Sequence, residues 1–150
     1  MSHKPSTPLS RADAEPLLIV LAVFFFYASL FFGVVGLDAD PGRDFMAADL
    51  LLQGKVLYRD VHYFFGPLAP VLNSWLLRLF GPSALTLLVA GAAVSLAIVV
   101  LSYMLARQIL PPLAATVGAL IVLAHAAFGF NMFSYAVPYT FAATYGLLFS

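Results

Sequence analysis

The sequence contains no cysteine and very little charge. The absence of cysteine from its 150 residues excludes a disulfide framework, a thiolate metal site and a cysteine nucleophile. Only 9% of the residues are charged and 63% are hydrophobic, which leaves too few polar side chains to coat a water-soluble globule. The net charge is zero and no basic stripe is present, so nucleic acid is not an expected partner. The composition therefore predicts a membrane protein.

Three long runs without a formal charge have the length of transmembrane helices. They are residues 17–36, 83–106 and 112–130, and a helix needs roughly 20 apolar residues to cross about 30 Å of hydrocarbon. Residues 138–150 begin a further apolar helix that ends before it could cross, so the chain is expected to be the N-terminal part of a larger protein. We predict an all-α, polytopic transmembrane helix bundle with residues 1–16 as a cytoplasmic tail.

Residues 66–81 are apolar but shorter than a transmembrane span. Two interpretations stay open for this segment: an interfacial or re-entrant helix, or a short helix that crosses the membrane. Trp75 and Arg78 favour the first, because an indole prefers the headgroup boundary and a guanidinium can extend toward it. The positive-inside rule does not orient the chain, because three lysines and arginines outside this segment lie on each side if it does not cross.

Most of the charge lies in one hydrophilic loop, residues 37–65. The loop holds five of the seven acidic residues and three of the seven basic residues, so any chemistry of this chain is expected there. His62 has no second histidine or cysteine at ligand spacing, and no metal site is predicted. No cofactor is expected, although a requirement for a divalent metal stays open.

An amphipathic helix is predicted at residues 41–53 of this loop. Asp40 is the expected N-cap, Pro41 suits the first helical position, and Gly54 suits the C-terminal end. We expect this juxtamembrane helix to lie flat on the membrane, with Asp40 close to the end of the first span. Helical spacing assigns Phe45, Ala48, Leu51 and Leu52 to its apolar face, and Arg43, Asp49 and Gln53 to the side that faces water.

The order of short motifs in this region resembles the start of a family of membrane enzymes. Asp40 is followed by Ala47-Ala48-x-x-Leu51-x-x-Gly54, by Leu57-Tyr58-Arg59-Asp60, by Gly66-Pro67-Leu68 and by Leu79-Phe80-Gly81. This ordered set resembles the opening of the GT-C membrane glycosyltransferases. Within them it is similar to the family 39-like bacterial branch, akin to protein O-mannosyltransferases and the aminoarabinose transferases of lipid A. The resemblance covers about residues 17–109.

The resemblance also implies which residues would act. In that family an essential aspartate follows the first helix, in the first extracytoplasmic loop, and its position corresponds to Asp40. A glutamate usually follows that aspartate, whereas this chain has Pro41, so Asp44 is the candidate for the second carboxylate. Gly66 stands where the family has a lysine, and the donor phosphate would need other contacts. The candidates for those contacts are Arg59, Lys55 and Tyr58.

The function implied by this resemblance is transfer of a sugar from a polyprenyl-phosphate-linked donor to an extracytoplasmic glycan, lipid or protein. Asp40 would remove the acceptor's proton as general base, and cations would stabilise the leaving phosphate. The implied location is the plasma membrane, the inner membrane of a bacterium, with residues 37–65 outside the cytoplasm. A non-enzymatic polytopic membrane protein, such as a transporter component or an assembly factor, is the alternative.

Simpler structural interpretations stay open for the polar residues. Asp40 could be a helix cap only, Asp44 a solvated helix charge, and Tyr58-Arg59-Asp60 a local salt-bridged turn. His125, within an apolar run, is interpreted as a neutral imidazole satisfied by a backbone carbonyl. Asp38 is expected to be a solvated loop residue, the aromatic residues 24–27 to contact lipid or helices, and Gly91, Gly118 and Gly129 to allow close helix packing.

Overall fold

The structure is a computed structural model that describes residues 11–34, 39–128, 134–137 and 140–150. Within these ranges the chain forms helices and no β-strand, which confirms the all-α prediction. The helices are α1 (Arg11–Val34), α2 (Ala39–Leu52), α3 (Leu68–Phe80), α4 (Ala84–Arg107), α5 (Pro112–Val122), a π-helical turn (Leu123–Ala127) and α6 (Phe141–Phe149).

Among the described residues, two helices are long and apolar enough to cross a membrane: α1, through the window Ala14–Phe31, and α4. Only 22% of the α1 window and 28% of α4 are buried inside the structure, whereas the core helix of a water-soluble protein is mostly buried. Their outward side chains are large and apolar, and Phe25, Leu85 and Leu105 are each more than 60% exposed. Exposed large apolar side chains along both helices favour a lipid environment over water.

The third predicted span, residues 112–130, is shorter in the structure. α5 and the π-helical turn form one apolar helix, Pro112–Ala127, which stays below the length of the other two, and residues 129–130 lie outside the described residues. The chain turns back here, and residues 134–137 close the end of the helix. The Tyr135 N–H donates to the Ala126 carbonyl at 2.8 Å, and the Ala136 N–H donates to the Ala127 carbonyl at 3.1 Å.

α1, α4 and α5 pack around one apolar core. From α1 the buried residues are Val20, Phe24, Ala28 and Phe31, which lie at helical spacing and form one stripe. The ring of Phe128 contacts this stripe, with its centroid 4.9 Å from that of Phe24 and 5.4 Å from that of Phe31. The other helices complete the core with Val99 and Tyr103 from α4 and Ala115 and Ala119 from α5.

α2 and α3 pack against the start of α4 and the start of α6. One cluster of buried residues joins these four helices, and Ala48 is the contribution of α2, as its place on the predicted apolar face suggests. The neighbouring residue Ala47 packs on a second side, against Val61 and Tyr63 of the following loop. α2 is therefore covered on two sides. The other buried residues of the cluster that joins the four helices are Ala69, Leu77, Leu87, Phe141 and Tyr145.

The ends of α2 differ in how well the sequence predicts them. The helix begins at Ala39, so Asp40 lies in its first turn and not at the N-cap position. At the other end Gly54 has a φ of +87°, which a residue without a side chain adopts at little cost. Its N–H donates to the Leu51 carbonyl at 2.9 Å, and the Lys55 N–H donates to the Leu50 carbonyl at 3.0 Å. These two bonds form a Schellman motif and end the helix.

Gly91 of α4 allows a close backbone approach. A Cβ atom at this position would overlap the carbonyl oxygen of Ala136. The neighbour is therefore the non-helical segment 134–137, and not another helix as the sequence suggests. The sequence predicts a similar role for Gly118, but within the described residues no neighbour lies within 4 Å of where its Cβ would be. Gly129 lies outside the described residues.

Candidate functional site

The carboxylate of Asp44 is the centre of a buried polar cluster. Its side chain is only 1% exposed, so it is not the solvated helix charge that the sequence left open. Oδ1 accepts a hydrogen bond from the Tyr63 hydroxyl at 2.9 Å. Oδ2 accepts from the Phe141 N–H at 2.7 Å and from the Thr140 hydroxyl at 3.2 Å. We call these four residues the Asp44 cluster; it joins α2, the loop after it and the start of α6.

Asp44 and Thr140 together cap the N-terminus of α6. The first N–H groups of a helix have no partner within the helix, and an anion is favoured at that end. Thr140 accepts from the Ala142 N–H at 3.3 Å, and Asp44 accepts from the Phe141 N–H. Because both carboxylate oxygens are engaged and enclosed by protein, a substrate hydroxyl could reach them only if α6 or the segment that carries Tyr63 moved away.

Tyr63 is the neutral donor of the Asp44 cluster. Burial raises the pKa of its hydroxyl above the usual value, and the neighbouring negative charge of Asp44 raises it further. The phenol therefore stays protonated at neutral pH and donates its hydrogen bond to Asp44. Its ring packs edge-on against Phe65, with centroids 5.7 Å apart and an interplanar angle of 73°.

Arg43 flanks the Asp44 cluster. The sequence predicts that Arg43 faces water, but most of its side chain is covered in the structure. Its Nε lies 3.9 Å from Oδ1 of Asp44, and its side chain is only 23% exposed. The guanidinium carbon lies 5.2 Å from the centroid of the Phe65 ring, which is a cation–π contact. A positive charge and a negative charge are thus held side by side on the first turns of α2.

Asp40, the main sequence candidate, lies one helical turn before Asp44. Its backbone belongs to the first turn of α2, directly after the segment that follows α1. Its side chain lies outside the described part of the structure, and so does the whole of Asp38. The structure therefore fixes the position of the Asp40 backbone relative to the Asp44 cluster.

Arg59 is engaged in an ion pair with its neighbour Asp60. Nε and Nη2 of Arg59 donate to the two carboxylate oxygens of Asp60 at 3.0 and 2.9 Å. Asp60 also accepts from the Val56 N–H at 2.9 Å. The hydrogen bonds from Arg59 are the main reason that the pKa of Asp60 is below its usual value, and the bond from the Val56 N–H lowers this pKa further. In turn, the bond to Asp60 raises the pKa of Arg59. This is the local salt-bridged turn that the sequence left open as the simpler interpretation.

The other two candidates for phosphate contact, Lys55 and Tyr58, belong to the same turn, residues 55–60. Both side chains are exposed. Tyr58 has a φ of +65°, a left-handed conformation that residues with side chains rarely adopt. Its hydroxyl donates to the Phe65 carbonyl at 2.6 Å. Phe65 thus connects the 55–60 turn, through its backbone, with Arg43 and Tyr63, through its ring.

The sequence did not single out Tyr63, Phe65 and Thr140, although two patterns point to them. Residues 61–65 alternate between inward Val61 and Tyr63 and outward His62 and Phe64, which is the period of an extended segment. Thr140 directly precedes an apolar run, the usual place of an N-cap. Neither pattern indicates that these residues meet Asp44.

The histidines in the described ranges form no metal site. Among the described residues, no group of three histidine, aspartate or glutamate side chains could hold a metal ion. His62 is exposed beside Phe64. His125 is exposed on the π-helical turn.

A second buried polar pair joins α3 and α6. The Tyr145 hydroxyl donates to Oδ1 of Asn73 at 2.6 Å, and Asn73 is completely buried. This pair and the Asp44 cluster both hold α6 against the α2–α3 side of the structure.

Comparison of the chain with protein-family models, with curated proteins and with solved structures gives no match.

Proposed function

We propose that this chain belongs to a membrane glycosyltransferase that moves a sugar from a polyprenyl-phosphate-linked donor to an extracytoplasmic glycan, lipid or protein. The observation that carries the proposal is the first turn of α2. This turn holds Asp40 just beyond the membrane-length α1, and Asp44 ties it to the start of α6. A carboxylate carried by a firmly held helical turn, just beyond the end of a membrane-length helix, suits chemistry on a lipid headgroup.

Asp40 is the proposed general base. Its carboxylate takes the proton of the acceptor hydroxyl, and the acceptor oxygen forms a bond to the anomeric carbon of the sugar. The bond between that carbon and the phosphate oxygen breaks at the same time, and its electron pair leaves with the phosphate. Asp44, which is buried and fully hydrogen-bonded, is assigned a positioning role one turn away.

The leaving phosphate requires a positive charge close to it, because negative charge develops there during transfer. Arg43 lies on the same helical turns as the two aspartates and is held in place by Phe65. Guanidinium groups pair well with phosphate oxygens. Arg59, Lys55 and Tyr58 on the neighbouring turn offer further contacts. This proposal requires the α2 side of a plasma-membrane protein to face away from the cytoplasm, and it involves no resident cofactor.

The proposal is tested by transfer of labelled sugars from undecaprenyl-phosphate-linked hexoses and pentoses in membranes that contain the intact protein. The variant Asp40→Asn is expected to lower kcat by about 10²–10⁴, the usual contribution of a general base. The KM for the donor and the amount of inserted protein are expected to stay unchanged. Asp49→Asn is the matched control, because Asp49 lies on the same helix and bonds Gln53 at 2.7 Å.

The outcomes separate the two aspartates. Asp44→Asn is expected to reduce the amount of folded protein and the transfer activity together, because it breaks the Asp44 cluster. Wild-type transfer by Asp40→Asn would remove that residue from the mechanism, and full loss of transfer by a well-folded Asp44→Asn would assign the base to Asp44. Absence of transfer by the wild-type protein from every donor would contradict the transferase proposal itself.

A transporter component is the second candidate, and one observation favours it. The apolar helix that ends at Ala127 is interrupted, and α6 begins again with its N-terminus at Asp44. Interrupted helices whose N-terminal ends meet polar groups are typical of substrate sites in secondary transporters. Uptake of a solute into vesicles with the purified protein, without transfer of any sugar, would support this alternative.

A further inference from the structure

α3 turns two of its three polar residues inward and most of its large apolar residues outward. Asn73 and Ser74 are buried against the rest of the structure. In a water-soluble protein a surface helix has the opposite arrangement. The outward face of α3 is formed by Leu68, Val71, Trp75, Leu79 and Phe80, which are exposed by 51, 36, 66, 74 and 73%.

The start of α4 lies on the same side of the bundle as α2. Leu87, in the first turn of α4, packs in one cluster with Ala48 of α2. Gly91, one turn later in α4, lies against Ala136. Ala136 bonds to the carbonyl of Ala127, at the C-terminal end of the helix Pro112–Ala127. Phe141, at the start of α6, donates to Asp44 of α2. α2, the first turns of α4 and the first turn of α6 are therefore at one level.

This arrangement determines where both ends of α3 lie. Its first residues follow the loop that packs on α2, and only three residues separate its last residue from α4. α4 has 24 residues and a length of about 36 Å, enough to cross about 30 Å of hydrocarbon alone. α3 has 13 residues and a length of about 20 Å, which is too short to cross.

We propose that α3 is a surface anchor that lies in the headgroup layer on the α2 side and inserts its outward face into the lipid. Trp75 lies at the boundary between headgroups and hydrocarbon, and Arg78, one turn later and exposed, reaches the phosphates. The proposal rests on α1 and α4 crossing the membrane, and it is independent of the proposed transferase activity.

Lipid is the occupant of this face because the two long helices expose apolar side chains in the same way. Phe25 and Phe26 on α1 and Leu105 on α4 are exposed by 61, 60 and 62%, so apolar side chains face outward on the spans as they do on α3. A second copy of the chain would cover one patch and would leave this wider apolar surface in water. The bilayer covers all of it.

The first test uses Trp75, the single tryptophan of the chain. The intact protein is reconstituted in phosphatidylcholine vesicles with acyl chains brominated near the headgroup, at mid-chain or near the chain end. We expect the shallow label to quench the fluorescence of Trp75 most strongly and the deep label least. The double variant Trp75→Phe with Phe25→Trp is the depth control, and its new indole is expected to be quenched most by the deep label.

Strongest quenching of Trp75 by the deep label would mean that α3 enters the bilayer centre, which overturns the proposal. Weak quenching by every brominated lipid would overturn it as well. In that case strong quenching by aqueous acrylamide would indicate water at this face, and weak quenching would indicate a protein partner.

The second test uses the absence of cysteine, since any cysteine introduced by mutation is the only one in these 150 residues. The variants are Lys55→Cys before α3, Pro82→Cys after α3 and Gln108→Cys after α4, all at exposed positions. With a membrane-impermeant maleimide, we expect the first two to be labelled from one side of the membrane and the third from the other. A crossing α3 would instead place Lys55→Cys and Gln108→Cys together, opposite Pro82→Cys.

Discussion

Asp44 and Asp60 are acidic residues of the same hydrophilic loop, but they are held in place in different ways. Asp60 binds the adjacent Arg59 and the backbone of Val56, all within one exposed turn. Asp44 binds Tyr63 in the same loop and Thr140 and Phe141 far along the chain, at a buried position. The first pair shapes a turn, whereas the second determines how α2 and α6 meet.

This contrast shows which of the two carboxylates matters for the global fold. An exposed ion pair gains little, because water and salt screen it and its side chains lose freedom. A buried carboxylate that loses its partners, or partners that lose their carboxylate, leaves polar groups unpaired in a place without water. We therefore expect Asp44 to dominate stability and Asp60 to affect only its own turn.

The largest expected effect is that of Asp44→Ala. The substitution leaves the Tyr63 hydroxyl and the Phe141 N–H without their acceptor, and we expect a loss of about 3 kcal/mol in unfolding free energy. The measurement is denaturation of the purified protein in detergent micelles followed by circular dichroism. Asp60→Ala is the matched control and should unfold near the wild-type midpoint. Equal midpoints for the two variants would refute the contrast.

A smaller effect is expected from Gly91→Ala, which acts on the segment that leads to α6. The new methyl group overlaps the carbonyl oxygen of Ala136, which is a backbone atom and cannot move away by a change of rotamer. Overpacking of this kind costs about 1–3 kcal/mol. Gly118→Ala is the control and should be neutral or stabilising by up to about 1 kcal/mol, since helical glycine is unfavourable. The same denaturation assay measures both, and a stable Gly91→Ala variant would mean that the segment is not held against α4.

The smallest effect is the pH dependence of the 55–60 turn. The pKa of Asp60 is lower in the folded turn than its ordinary value of 3.8, so the turn is stabilised above that pH. This stability is lost as the pH falls below 3.8 and through the lowered pKa. We expect the Val56 amide to become less protected from hydrogen exchange in that range. Asp60→Asn should abolish this dependence, and a pH-independent Val56 amide in the wild type would contradict the role of the ion pair.

The parts of the fold that depend on composition and near neighbours could be predicted from the sequence. α1 and α4 follow from uncharged apolar runs, and Gly54 marks the end of α2 because its backbone requires a positive φ. The Arg59–Asp60 pair follows from adjacency in the sequence. In each of these cases the residues that determine the structure lie within one helical run or one turn.

The parts that could not be predicted depend on contacts between distant segments. Asp44 lies almost a hundred residues before Thr140 and Phe141, and nothing near Asp44 indicates that α6 begins there. Arg43 lies on the polar side of α2 by spacing, but the returning loop covers it with Phe65. The third span is short because the N–H groups of residues 135 and 136 bond to the carbonyls of Ala126 and Ala127, where a longer helix would have supplied its own N–H groups. Local patterns contain no information on these pairings.

The hydrogen bonds from residues 135 and 136 to the end of the π-helical turn also limit how α6 can move. The segment that satisfies those two carbonyls is the same one that leads into Thr140, the cap of α6. A displacement of α6 large enough to uncover Asp44 would pull on this segment and leave the Ala126 and Ala127 carbonyls without partners in an apolar environment, which is costly. α6 is thus held at two points, by the Asp44 carboxylate at its first turn and by the segment 134–137 that precedes its cap, and exposure of Asp44 is expected to cost hydrogen bonds at both.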